Sequence, residues 1–198
     1  MSEANLDAKY IQMTQTPVES LICRLAVPTI ISNLITTFYN MADTFFIGKI
    51  STSASGAVGI AFAVMAAIQA VGFFFGQGSG NNISRLLGRQ ETDKAERLAA
   101  VGFYSALIGG ALIAATGLIF LKPLCILLGS TETILPYAMD YLKFILIGAP
   151  YMAASLVLNN QLRFEGSAFY GMIGLTTGAL INIVLDPILI FGFNMGIS

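Results

Sequence analysis

Two carboxylates stand inside apolar stretches of the chain, Asp43 within NMADTFFIG and Asp186 within NIVLDPILI. A central Asp costs roughly 2.5 to 3.5 kcal/mol on insertion scales, so such a residue ordinarily faces a partner or a water-filled cavity and marks an ion or substrate path. The bland alternative is that each sits at a helix end in the interfacial layer. Desolvation raises a carboxylate pKa, so a buried Asp can bind and release a proton near neutral pH. Ionised, the same group attracts cations. Serving either a proton or an organic cation, but not both, is the minimal chemistry of an exchanger.

The neighbours of both acids repeat at helical spacing. Asn33, Thr36, Asn40 and Asp43 recur every three or four positions, and Asn182 precedes Asp186 by four, so each set shares one side of a helix. A polar stripe on an otherwise apolar helix lines a cavity or a helix contact, not lipid. Asp43 lies 18 residues beyond Leu25 and Asp186 lies 18 beyond Ala168, roughly 27 Å along each helix, which puts the two acids at matching heights. Tyr141 comes early in a span of opposite direction, so its hydroxyl falls in the same layer. Asp140 and Lys143 are expected to form an ion pair at the rim. A sodium ion would need several oxygens, which Asp43, Asn182 and Asp186 could offer, whereas a proton needs one. No other metal site is expected. Pro28 and Pro187 each remove a backbone donor and bend a helix close to these groups. Phe and Tyr together contribute 21 residues, and aromatic faces suit flat, lipophilic cations, although most of these rings are expected to face lipid or core.

The elements that must hold these residues follow from charge. Only 11% of the 198 residues are charged and 56% are hydrophobic, against roughly 25% charged in an ordinary soluble domain. No Asp, Glu, Lys or Arg occurs between Ile50 and Ser84, or between Leu98 and Leu121. Either gap exceeds the roughly 20 apolar residues that cross a hydrocarbon core. Five spans are expected, at about 25–48, 54–77, 98–121, 136–158 and 168–193, after a cytoplasmic segment at 1–20 that carries no cleaved signal. The connector 81–97 is the one long link, where Gly88 can stop a helix and Thr92 can start the next. Lys9, Arg24, Arg85, Arg89, Lys94, Arg97 and Arg163 fall on one side, and Lys49, Lys122 and Lys143 on the other. Positive connectors stay in the cytoplasm, so the N-terminus is expected inside a cell or inner membrane. Gly102, Ala106, Gly110 and Ala114 form a small-residue stripe in the third span, and Gly72 with Gly76 and Gly174 with Gly178 repeat its spacing. Such stripes let helix backbones approach closely. Cys23 and Cys125 lie at opposite ends of their spans and are not expected to pair. A net charge of -1 leaves no basic face for nucleic acid.

The stretches PTIISNLITTFYNMADTFFIG, SRLLGR, NNQLRFEG and NIVLDPILIFGFNMGIS resemble the multidrug and toxic compound extrusion, or MATE, transporters, in family order from Glu19 onward. The resemblance implies an all-α polytopic membrane protein whose five helices form most of one six-helix lobe, the second lobe lying outside this chain or on a second chain. It further implies secondary active export of organic cations in exchange for protons or sodium ions, with no cofactor and the ion gradient as energy source. On this resemblance Asp43 is similar to the family's acidic residue in the first helix, and Asn182 with Asp186 to its fifth-helix ion-coupling pair. Tyr141 is similar to a fourth-helix tyrosine of the same cluster, and Pro28 to a proline at which the first helix bends.

Three other readings compete. An intramembrane aspartyl protease would also use two aspartates, but Met41-Ala42 and Val184-Leu185 precede them without the flanking residues such enzymes carry, and the chain has no His for a metalloprotease motif. No enzyme is expected. A lipid flippase relative would show several basic residues deep in its spans, and here the deep charges are acidic. A truncated, non-transporting membrane subunit is the third.

Overall fold

The computed structural model describes residues 10–11, 15–48 and 52–187, with the side chains of residues 39, 40, 42–48, 52–55 and 184–187 outside that description. The described chain is helical: α1 (Val18–Gly48), α2 (Thr52–Gly88), α3 (Thr92–Ile119), the short α4 (Leu121–Leu127), α5 (Leu135–Phe164) and α6 (Ala168–Pro187). Four of them, at Val18–Phe38, Gly56–Gly88, Thr92–Ile119 and Leu135–Phe164, are long and apolar enough to cross a membrane. The fifth expected span is shorter among the described residues, Ala168–Ile183, and its part at 188–193 lies outside them. Lys49 and most of segment 1–20 also lie outside the described residues.

The long connector expected after the second span is mostly helix. Ile83, Leu86 and Leu87 continue the apolar spacing of α2, and Ile83 is fully buried, so the helix persists to Gly88 and only residues 89–91 turn. There Glu91 N–H donates to Leu86 O and Gln90 N–H to Leu87 O, both at 3.0 Å, which closes the helix end in a Schellman motif. The left-handed position of that motif is held by Gln90, at φ 60°. The equivalent positions closing α4 and α5 are Gly129 and Gly166, at φ 97° and 77°. Helix α4 was not anticipated. Pro123 denies a hydrogen bond to the preceding turn, so the chain breaks at Phe120 and restarts as seven residues.

Small residues set the packing. A Cβ added at Gly72 would lie 2.9 Å from Leu156 Cβ, and one at Gly76 would lie 3.1 Å from Asn160 Cβ, so α2 and α5 run parallel in close contact. Helix α3 runs antiparallel to both: Gly102 abuts Ser79 and Gln161, Gly110 abuts Ala149 and Pro150, and Gly117 abuts Leu146. Gly102, Ala106, Gly110 and Ala114 are all buried, as their spacing requires. Gly174 and Gly178 depart from that pattern. They face open space because α6 turns the opposite side toward its neighbours.

A polar clamp ties the trio together at its Gly88 end. Gln161 Nε2 donates to Ser79 Oγ at 3.0 Å and to Ala99 O at 3.1 Å, joining α5 to α2 and α3 from a nearly fully buried position. Replacing Gln161 by Leu leaves Ala99 O and Ser79 short of a donor, a loss of roughly 1 to 3 kcal/mol. The expected readout is a lower thermal midpoint of the purified protein, and an unchanged midpoint would show that the clamp contributes nothing.

Outward faces are apolar. Ile108, Leu112 and Ile119 on α3 and Phe144, Ile147 and Tyr151 on α5 are exposed, as lipid-facing surfaces require. Cys23 is exposed and Cys125 is buried, and both are free. Asp140 and Lys143 are both exposed and do not form the expected ion pair, since each side chain reaches solvent or headgroups without the other.

Candidate functional site

Helices α1 and α6 form a layer beside the trio. Helix α1 packs mainly along α6 and only lightly on α2, while α6 also rests on α5. The α5–α6 hairpin is held near its turn by Asn159 Nδ2, which donates to Gly171 O at 3.1 Å. Carrying that register along both helices puts position 186 within about one helical turn of the height of Tyr141. Gly56 near the start of α2 meets Ile134 just before α5, and α1 ends at Gly48, shortly before α2 begins at Thr52. Asp43 near the end of α1, Asp186 near the end of α6 and Tyr141 near the start of α5 therefore share one end of the lobe.

Within α6 the side turned to its neighbours carries buried Ala179 and half-buried Met172, Leu175, Thr176 and Asn182. Among the described residues, the Asn182 amide oxygen and the Thr176 hydroxyl are buried without a hydrogen-bond partner. An unsatisfied buried acceptor is costly, and such atoms in native proteins ordinarily await an ion, a water or a moving group. Position 186 is four residues on from Asn182, on the same side of the helix.

Within α1 the buried side is set by Ser32, which is only 1% exposed, flanked by half-buried Pro28, Thr29 and Thr36. Position 43 lies eleven residues beyond Ser32, three helical turns, and so returns to that side. Asn33 is exposed, at the edge of the stripe, and its carbonyl accepts the Thr37 hydroxyl at 2.9 Å. The side chains of Asn40, Asp43 and Asp186 lie outside the described residues. Tyr141 is half-buried and packs against the apolar core.

Pro28 lies inside α1 among hydroxyls bonded to the helix's own carbonyls. Its ring removes one backbone donor, and Thr29 Oγ1 donates to Leu25 O at 3.0 Å, Ser32 Oγ to Pro28 O at 2.8 Å and Thr36 Oγ1 to Ser32 O at 2.8 Å. Hydroxyls bonded to the carbonyl four residues back compete with the helix's own ladder and favour bending. Sequence reasoning found Pro28 and Thr36 but missed Ser32, whose tight burial had no signal beyond its place one turn from Pro28. It also missed Thr176, Gln161 and Pro150, the last of which lies inside α5 where Gly110 meets it.

A glycine-packed trio with apolar outer faces, carrying a second layer of two apolar helices with polar residues on the contact side, defines a helical membrane lobe. The MatE family model matches residues 28–188, and the chain belongs to that family. Over 91% of its length the chain is 32% identical to an FAD transporter of Shewanella oneidensis, covering 40% of that protein. Over 96% of its length it is 30% identical to the multidrug export protein MepA of Staphylococcus haemolyticus, covering 42% of it. A solved multidrug resistance MATE family transporter of the MOP superfamily, in an outward-facing conformation, superposes with a TM-score of 0.89 at 30% identity, over 94% of this chain and 42% of that one. The chain thus spans about two fifths of the length of these relatives.

Proposed function

We propose that the chain is the N-terminal lobe of a secondary active exporter that expels organic cations from the cell in exchange for protons or sodium ions. The observation that carries this reading is the pairing of α1 with α6 apart from the rigid trio. It supports the reading because Asp43 falls near the end of α1 and Asn182 with Asp186 near the end of α6, and the Asn182 amide oxygen has no donor among the described residues. An ionised pair of acids there holds a cation, and protonation or sodium binding displaces it. Asn33, Thr36 and Asn40 line the approach, and the hydroxyl-bonded stretch around Pro28 lets α1 change shape as the acids change charge. The Lys and Arg distribution supports an N-terminus in the cytoplasm and an acid-bearing end outside. Alternating access needs one lobe to move against another, so the partner is a second lobe, supplied by a longer chain or a second one. No cofactor takes part.

The test is uptake of a fluorescent lipophilic cation into inverted membrane vesicles bearing the complete transporter. Uptake is expected to follow an imposed proton or sodium gradient and to vanish when both are collapsed. Uptake indifferent to both gradients would overturn the reading. A second reading, export of a flavin dinucleotide, draws on the similarity to the Shewanella protein. The acids at that end of the lobe repel a pyrophosphate, so inhibition of cation uptake by excess FAD is not expected.

A further inference from the structure

We propose that α4 is a membrane-surface anchor, seated in the headgroup layer of the leaflet at the acid-bearing end, with Phe120, Ile126 and Leu127 against the outermost acyl chains. Three observations meet there. The first is height. The register of α3 against α5, fixed where Gly102 meets Gln161 and Gly117 meets Leu146, brings Lys122 level with the stretch from Asp140 to Lys143, all three exposed. From Leu98 to Phe120 the chain climbs roughly 33 Å, one hydrocarbon thickness. Charges therefore mark the boundary at which α4 begins.

The second observation is the division of the helix. Cys125 is fully buried and Leu121, Leu124 and Leu128 pack on the core, whereas Ile126 and Leu127 are 54% and 83% exposed. The third is continuity. Ile108, Leu112 and Ile119 form the outward stripe of α3, opposite its glycines, and exposed Phe120, Ile126 and Leu127 follow it directly in the chain. The surface that α4 offers is thus an extension of a lipid-facing one, which selects lipid over a protein partner. At seven residues, roughly 10 Å, α4 is too short to cross. An amphipathic segment at this height lies in the interface with its apolar side toward the acyl chains.

The chain has no tryptophan, so Leu127→Trp supplies a single fluorophore. In liposomes of this chain, acyl-brominated phospholipids are expected to quench Leu127→Trp strongly, while aqueous iodide quenches it weakly. Glu132→Trp, on the exposed loop that follows, is expected to show the reverse. Quenching of Leu127→Trp by iodide at the level of Glu132→Trp would overturn the proposal. So would protection from both quenchers, which would mean a protein covers the helix. Ile126→Trp gives the same readout should Leu127→Trp fail to insert, and neither result depends on transport.

Discussion

Asp186→Asn in the complete transporter is expected to lower ion-coupled cation efflux by about tenfold or more, a loss of at least about 1.4 kcal/mol, and Asp43→Asn is expected to do the same. The amide keeps the size and most hydrogen-bonding capacity of the carboxyl, so packing of α1 on α6 survives. What it removes is the charge that attracts a cation and the site that titrates. The two positions lie on helices that pack directly together, at one end of the lobe. If they hold one ion between them, the double variant is no worse than the more damaging single one, because groups acting as a unit are not additive. Efflux under the same gradients, normalised to protein in the membrane, checks this. Unchanged coupled efflux in both single variants would remove the mechanism, and strictly multiplicative losses would separate the two acids into independent sites.

Gly110→Leu is expected to destabilise the lobe more than any other glycine substitution. An added Cβ there would stand 2.7 Å from Pro150 Cα and 2.8 Å from Ala149 O, and both obstacles are backbone, which cannot swing aside like a side chain. Overpacking ordinarily costs about 1 to 3 kcal/mol, and this site belongs at the upper end because relief requires α3 and α5 to separate. Gly78→Leu is the control, since nothing lies within 4 Å of its added Cβ. Thermal unfolding in detergent is expected to show a large drop for Gly110→Leu and little change for Gly78→Leu. Equal midpoints would mean that the close approach of α3 and α5 does not hold the trio.

Much of this architecture was legible in the residues. Charge gaps located the spans, Gly88 and Thr92 bounded the turn between α2 and α3, and the small-residue stripe of α3 proved to be its buried side. The limits are equally physical. Spacing shows that a helix can be approached closely, not by what, so Gly174 and Gly178 carry the same motif as Gly72 and Gly76 yet face open space. Polar letters in 81–97 suggested a loop, while Ile83, Leu86 and Leu87 kept the helix going. Gln161 sat within a recognised motif, but its partners lie 82 and 62 residues away in the chain, and no local pattern announces a contact of that range. For the site, helical periodicity marked Thr36 and Asn182, and both are half-buried. It also enrolled Asn33, which proves exposed, and passed over Ser32, which is the buried one.

The central claim is that one pair of acids, presented by α1 and α6, takes either the exported cation or the driving ion. Its most direct test is equilibrium binding of a fluorescent organic cation to the purified complete transporter, titrated across pH and across sodium concentration. Affinity should weaken as protons or sodium ions are added, and both Asp43→Asn and Asp186→Asn should flatten that dependence. Tight binding insensitive to pH and to sodium alike would contradict it.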